Sequence, residues 1–139
     1  MKWYLKVLKE NYANFNGRAR RQEYWMFVLI QIGIFFLLIL LSNLLEEFGL
    51  FDSEIILWVV ALYGSATLVP WIAVNVRRLH DTGKSGGNLF LNFIPLIGRI
   101  WYIILVASNG DVGPNKYGPD PKNNFEDEID DIGNPLLEE

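Results

Sequence analysis

His80 and Asp81 are neighbours, and a carboxylate beside an imidazole is the pairing that orients a ring for proton transfer or for metal binding. His80 is the only histidine, so one chain cannot assemble a metal-dependent histidine-aspartate site from its own residues. Gly83-Lys84-Ser85 resembles the end of a phosphate-binding loop, but Arg78 stands where the leading glycine is needed and no strand pattern precedes it. Ser85 lacks the Gly-x-Ser-x-Gly surroundings of a nucleophile elbow. With no cysteine in the chain, disulfides, thiolate metal sites and cysteine nucleophiles are excluded. No catalytic residue, metal or cofactor is therefore expected. Asp81 reads as a helix cap or a partner for Arg77, and His80 as an interface residue.

The stronger chemical pattern is basic. Arg18, Arg20 and Arg21 form one cluster, and Arg77, Arg78 and Lys84 a second beside a Gly-rich turn that precedes a helix. Free N–H groups and the dipole at such a helix start favour an anion. Lipid phosphate is the nearest candidate, with a soluble phosphate-bearing ligand as the other, and ordinary positive-inside anchoring explains the same residues. Glu23 is spaced to pair with Arg77 or Arg78, which would lock the loop to the first span. A net charge of −4 gives no footprint for nucleic acid.

The elements that must carry these residues are apolar runs. Residues 25–45, 55–76 and 88–107 each supply roughly 20 residues, enough for a helix of about 30 Å to cross a hydrocarbon core. A mean hydropathy of +0.19 conceals them, because the charges are concentrated in the ends and loops. Of the 12 Lys and Arg only Arg99 lies within a run, and none of the 16 Asp and Glu does. An arginine at the centre of a lone span opposes insertion by about 2.5–3.5 kcal/mol, so Arg99 needs relief. Snorkelling, contact with Asn92 or with freed carbonyls, and a re-entrant break at Pro95–Gly98 each provide it. A single kinked span is the preferred arrangement, and it would put the C-terminus outside.

Lys and Arg resist translocation and so mark the cytoplasmic side. Six lie before the first run and three between the second and third, against none in the loop between the first and second. The N-terminus and second loop are thus expected in the cytoplasm. No short apolar core with a cleavage site precedes the first run, so it is expected to be retained. Residues 2–12 project as an amphipathic interfacial helix, with Lys2, Lys6 and Lys9 in one sector. Asn16-Gly17 makes a turn, and Pro70 with Gly64-Ser65-Ala66-Thr67 predicts a kinked second span whose freed carbonyl needs a donor such as Thr67. Residues 113–122, dense in Pro and Gly, should form an extended, turn-containing segment. The domain reading is a membrane domain over 1–122 and a disordered acidic tail over 123–139. The fold class is all-α: a polytopic membrane protein of about three spans.

Gly17-Arg-Ala-Arg-Arg-Gln-Glu-Tyr-Trp25, Arg77-Arg-Leu-His-Asp-Thr-Gly-Lys-Ser-Gly86, Ile94-Pro-Leu-Ile-Gly98 and Asn115-Lys-Tyr-Gly-Pro-Asp-Pro121 occur in this order. In these stretches the chain resembles domain-of-unknown-function family 805, the YhaH-like bacterial inner-membrane proteins, from about Met1 to Lys122. The resemblance implies an inner-membrane location and a helical fold, with no activity attached. The chain departs from the family pattern at Gly87-Asn88, at Arg99 and in its acidic extension. Three function classes follow. The first is a scaffold or accessory protein binding anionic lipid, a membrane protein partner or a second copy through its basic face. The second is a component of an oligomeric channel or transporter lined by Arg99, Asn92, Asn75, Gln31 and Pro70. The third, ranked last, is a membrane-embedded enzyme using His80 and Asp81.

Overall fold

The computed structural model describes residues 2–49 and 52–122. The acidic stretch 123–139 lies outside the described residues. Among the described residues there are four α-helices, α1 (Lys2–Lys9), α2 (Arg21–Glu47), α3 (Ser53–Asp81) and α4 (Ile97–Ala107), with a 3-10 helix at Gly86–Phe93. Among the described residues there is no strand, only an isolated bridge between Asn115 and Gly118. The chain packs as two compact units, one of Met1–Phe15 with Gln22–Val74, the other of Asn16–Arg21 with Asn75–Glu139.

In the first unit α2 and α3 form an antiparallel hairpin, since Gln31 bonds to Thr67 while Phe35, one turn on, packs edge-to-face on Tyr63. Both helices are long and apolar enough to cross a membrane. Their outer faces bear large apolar side chains, Phe36 being 68% and Leu62 73% exposed, as suits a surface solvated by lipid. The polar groups turn inward. Tyr63 donates to Gln31 Oε1 at 3.0 Å, Gln31 Nε2 donates to Thr67 Oγ1 at 2.8 Å, and the Tyr4 hydroxyl from α1 lies 3.0 Å from that of Tyr63. Tyr4 also stacks on Phe27, so α1 buries Tyr4 and Val7 and leaves Lys2 and Lys9 exposed. Pro70 lacks an N–H and frees the carbonyl four residues earlier. That carbonyl, Ala66 O, receives the hydroxyl of Tyr12, while Thr67 donates to Tyr63 O at 2.9 Å. The donor for the proline break is a tyrosine 54 positions away rather than the adjacent threonine.

In the second unit the expected third span is not one helix. Residues 86–93 form the 3-10 helix, and α4 covers only 11 residues, about 16 Å at 1.5 Å per residue, too short to cross alone. Between them Ile97 N–H bonds to Pro95 O at 2.8 Å around Leu96, whose φ is 61° and ψ −77°. This is a γ-turn with its central residue in the strained, positive-φ form, and it folds the two halves back on each other. The fold-back needs Gly98: a Cβ there would lie 2.2 Å from Leu91 O and 2.6 Å from Ile94 Cβ. Gly98→Ala is expected to cost at least about 2 kcal/mol by overpacking a site walled by backbone. A thermal transition unchanged from wild type would show that the two halves are not held this closely.

α4 runs alongside the last turns of α3 and in the same direction. Tyr102 donates its hydroxyl to the Asn75 side chain, and Arg78, three residues on, meets the carbonyl of Val106, four residues on. The chain leaving α4 therefore arrives where α3 ends.

Candidate functional site: an arginine–aspartate knot

The groups that the sequence offers for chemistry meet at the end of α3. Arg78 and Asp81 are one helical turn apart on the same face, a spacing that lets an arginine reach a carboxylate. Arg78 Nη1 bonds to Asp81 Oδ2, and Arg18, from the turn before α2, brings Nε to 2.9 Å from Asp81 Oδ1. One arginine of each basic cluster, Arg18 and Arg78, meets the same anion, and that anion is the protein's own carboxylate. Arg78 is fully buried, with Arg18 at 8% and Asp81 at 3% exposure.

Two guanidiniums around one carboxylate leave donors over, and the loop after α4 supplies the acceptors. Arg78 Nε donates to Val106 O at 2.9 Å, Nη2 to Ser108 O and Nη1 to Ala19 O at 3.3 Å. The last carbonyls of a helix have no partner within it, so Arg78 caps α4 while its charge faces the negative end of the helix dipole. Arg18 Nη1 donates to Gly113 O at 2.6 Å and Nη2 to Asp111 O. Arg20 Nε reaches Pro121 O, and Arg21 Nη1 reaches Asn109 Oδ1 at 2.9 Å. Backbone bonds close the arrangement, Ala19 N–H to Arg77 O at 3.0 Å and Asp111 N–H to Asp81 O at 2.8 Å. Gly110 permits this approach, because a Cβ there would fall 2.0 Å from Asp81 Oδ2.

His80 and Asp81 do not act on each other. Both Asp81 oxygens face arginines, whereas His80 Nδ1 lies 3.2 Å from Gly17 O, a pure acceptor, so that nitrogen carries the proton. The imidazole stacks on Tyr117 at 3.8 Å between centroids and 5° between planes. Tyr117 is presented by a two-residue turn closed by reciprocal backbone bonds of Asn115 and Gly118. Asn115 Nδ2 ties that turn to His80 O at 3.0 Å. Asp120 anchors the following stretch by accepting from Lys122 N–H and Gly113 N–H, each at 3.0 Å. The Lys122 N–H above all, then that of Gly113 and the charge of Arg18, hold the Asp120 carboxyl below its usual pKa against the opposing effect of burial.

Lys84 is exposed and Arg77 is buried in this second unit, and Glu23 is buried in the first unit. Asn92 is half-buried on the 3-10 helix. Arg99, exposed in the first turn of α4, makes no hydrogen bond or ion pair to any described residue. Gln31 and Asn75, considered for a polar path, are each engaged within their own unit. No group of three or more His, Cys, Asp or Glu among the described residues is arranged to hold a metal ion. Sequence reasoning missed Gly110, Tyr117 and Asp120. Tyr117 and Asp120 lie within Asn115–Pro121, so the motif was visible although its task was not.

The family model described as a protein of unknown function, DUF805, matches residues 12–119, which contain α2, α3, the hairpin and every residue bonded to Asp81. The chain belongs to DUF805. It is similar to Inner membrane protein YhaH of Escherichia coli K12, 48% identical over 124 residues, covering 88% of this chain and 98% of that protein. Inner membrane protein YhaI of the same strain is 44% identical over 122 residues, covering 88% and 97%. Uncharacterized protein YiiR of that strain is 31% identical over 139 residues, covering 77% and 85%. No solved structure matches the chain. The description of DUF805 names no reaction, and the names of YhaH and YhaI give a place rather than an activity.

Proposed function

We propose that this DUF805 protein is a small accessory or scaffold protein of the bacterial inner membrane, whose cytoplasmic surface binds anionic phospholipid. In this reading α2 and α3 cross the bilayer with the N-terminus in the cytoplasm, and the 3-10 helix and α4 form a re-entrant hairpin. The segment 108–122 then returns to the cytoplasmic side, in place of the single third crossing expected from the sequence. The observation that carries the reading is the Asp81 knot. It engages Arg18 and Arg78 with protein acceptors and sets the 108–122 segment as a fixed surface, while Arg21 and Lys84 stay exposed beside it. A charged centre whose donors are already matched is built for holding shape rather than for turnover. The relatives named as inner membrane proteins support the location.

The test is native mass spectrometry of protein released from nanodiscs of mixed phosphatidylglycerol and phosphatidylcholine. Each basic residue near an anionic surface contributes about 1 kcal/mol, so Arg21→Gln with Lys84→Gln is expected to lower retained phosphatidylglycerol by on the order of tenfold. Retention equal to wild type in the double variant would overturn the lipid-binding role.

A further inference from the structure

Arg99 is a charge that bonds to no described residue. Of the residues from Gly86 to Ala107 it alone is charged, and its neighbours on the hairpin surface are large and apolar, with Phe93 81%, Leu96 77% and Ile97 79% exposed. Resting on the re-entrant reading above, α4 ends at the level of Arg78, where its last carbonyls are capped. Arg99 stands eight residues before Ala107, about 12 Å deeper at 1.5 Å per residue, close to the middle of a hydrocarbon core of about 30 Å. Helical side chains lean toward the helix N-terminus, so Arg99 leans away from the cytoplasmic surface, toward the hairpin tip. A side chain reaching about 6 Å arrives at neither interface from this depth. Unlike Arg18 and Arg78, it has no carboxylate and no free helix-end carbonyls assigned to it.

We infer that the exposed face of α4 around Arg99 docks a transmembrane helix of another protein that carries one acidic residue at mid-membrane depth. The charge requires a carboxyl group, and water is not there to substitute. This chain has none to offer, since no Asp or Glu lies in residues 25–45, 55–76 or 86–107. A second copy would bring another arginine and the same acid-free apolar runs. A partner helix with an Asp or Glu completes both halves: its apolar side chains pack on Ile100 and Ile103, and its carboxyl accepts from the guanidinium in a medium of low dielectric. Intramembrane arginines of this kind mark recognition rather than packing.

The test uses the full chain in phosphatidylcholine vesicles with a leucine-based transmembrane peptide that bears one central aspartate. Energy transfer from a label at a cysteine replacing Lys122, unique because the chain has none, reports association. The aspartate peptide is expected to bind at least tenfold more tightly than the all-leucine peptide. Arg99→Leu should abolish that preference, and Arg99→Lys should keep most of it. Equal binding of the two peptides, or a preference that survives in Arg99→Leu, overturns the inference. So does Arg99-dependent self-association, or Arg99-dependent retention of phospholipid in native mass spectra, without aspartate preference; these would assign the face to a second copy or to a headgroup. A fluorophore at a cysteine replacing Leu96 tests the hairpin separately. Deep quenching by lipids spin-labelled near the chain end upholds the re-entrant reading whatever the peptides do, and shallow quenching overturns both.

Discussion

Asp81→Asn is expected to destabilise the protein by about 3–5 kcal/mol, the range for removing one partner from a buried ion pair and leaving its counter-charges unmatched. Here two guanidiniums are left behind, of Arg18 and Arg78, in a site where Asp81 is 3% exposed. The substitution keeps the shape of the side chain while removing its charge and turning one acceptor into a donor that faces a guanidinium, so cavity formation does not confuse the reading. The first sign should be protease cleavage within residues 108–122, because Gly113 and Asp111 hold Arg18 only while Asp81 holds it too. His80→Ala supplies the contrast. It removes one ring stack and one bond to Gly17 O, and a loss of about 1 kcal/mol is expected. If both substitutions shift the thermal transition equally, the charged centre is not what binds the loop.

The second large effect is topological and close to all-or-none. Single cysteines replacing Lys9, Glu47 and Val112 are read with a membrane-impermeant maleimide on bacterial spheroplasts; all three positions are exposed, Val112 at 94%. Position 47 should label in intact spheroplasts, and positions 9 and 112 only after permeabilisation, with at least a tenfold contrast in each case. The expectation follows from α4 ending beside Arg78 and from Arg18 bonding to Gly113 O, which puts residue 113 beside the start of α2. Labelling of position 112 together with position 47 would mean that the chain crosses a third time. It would also mean that the knot is absent from the inserted protein.

Much of the scaffold is readable from the residues. The continuous apolar runs at 25–45 and 55–76 lie within α2 and α3, and Gly17, with φ of 80°, forms the expected turn. The third run was misread because length and hydropathy are the same for a 20-residue span and for two short halves folded together. The local marks of the second case were present in Gly86-Gly87, Pro95 and Gly98. What tips the balance is a contact between Gly98 and Leu91 O, which no composition reports. The arginines illustrate a different limit. Arg78–Asp81 spacing on a helix is legible, but the acceptors that engage the remaining donors are the backbone oxygens of Val106, Ser108, Asp111 and Gly113. Carbonyls are the same in every residue and leave no trace in the alphabet. Basic side chains that read as waiting for an outside anion were thus partnered by groups that sequence does not display.

The knot also dictates when a growing chain can become whole. Its three segments, residues 16–21, 77–81 and 106–121, are far apart along the chain, and Arg18 meets Gly113 across 95 positions. Arg18 and Asp81 are synthesised first, and the Arg18 Nη donors have only water until the carbonyls of Asp111 and Gly113 leave the ribosome. Completion of the knot is therefore late: the carbonyls of residues 106, 108, 111 and 113 join Arg18, Arg78 and Asp81 only when nearly all of the described chain has been made.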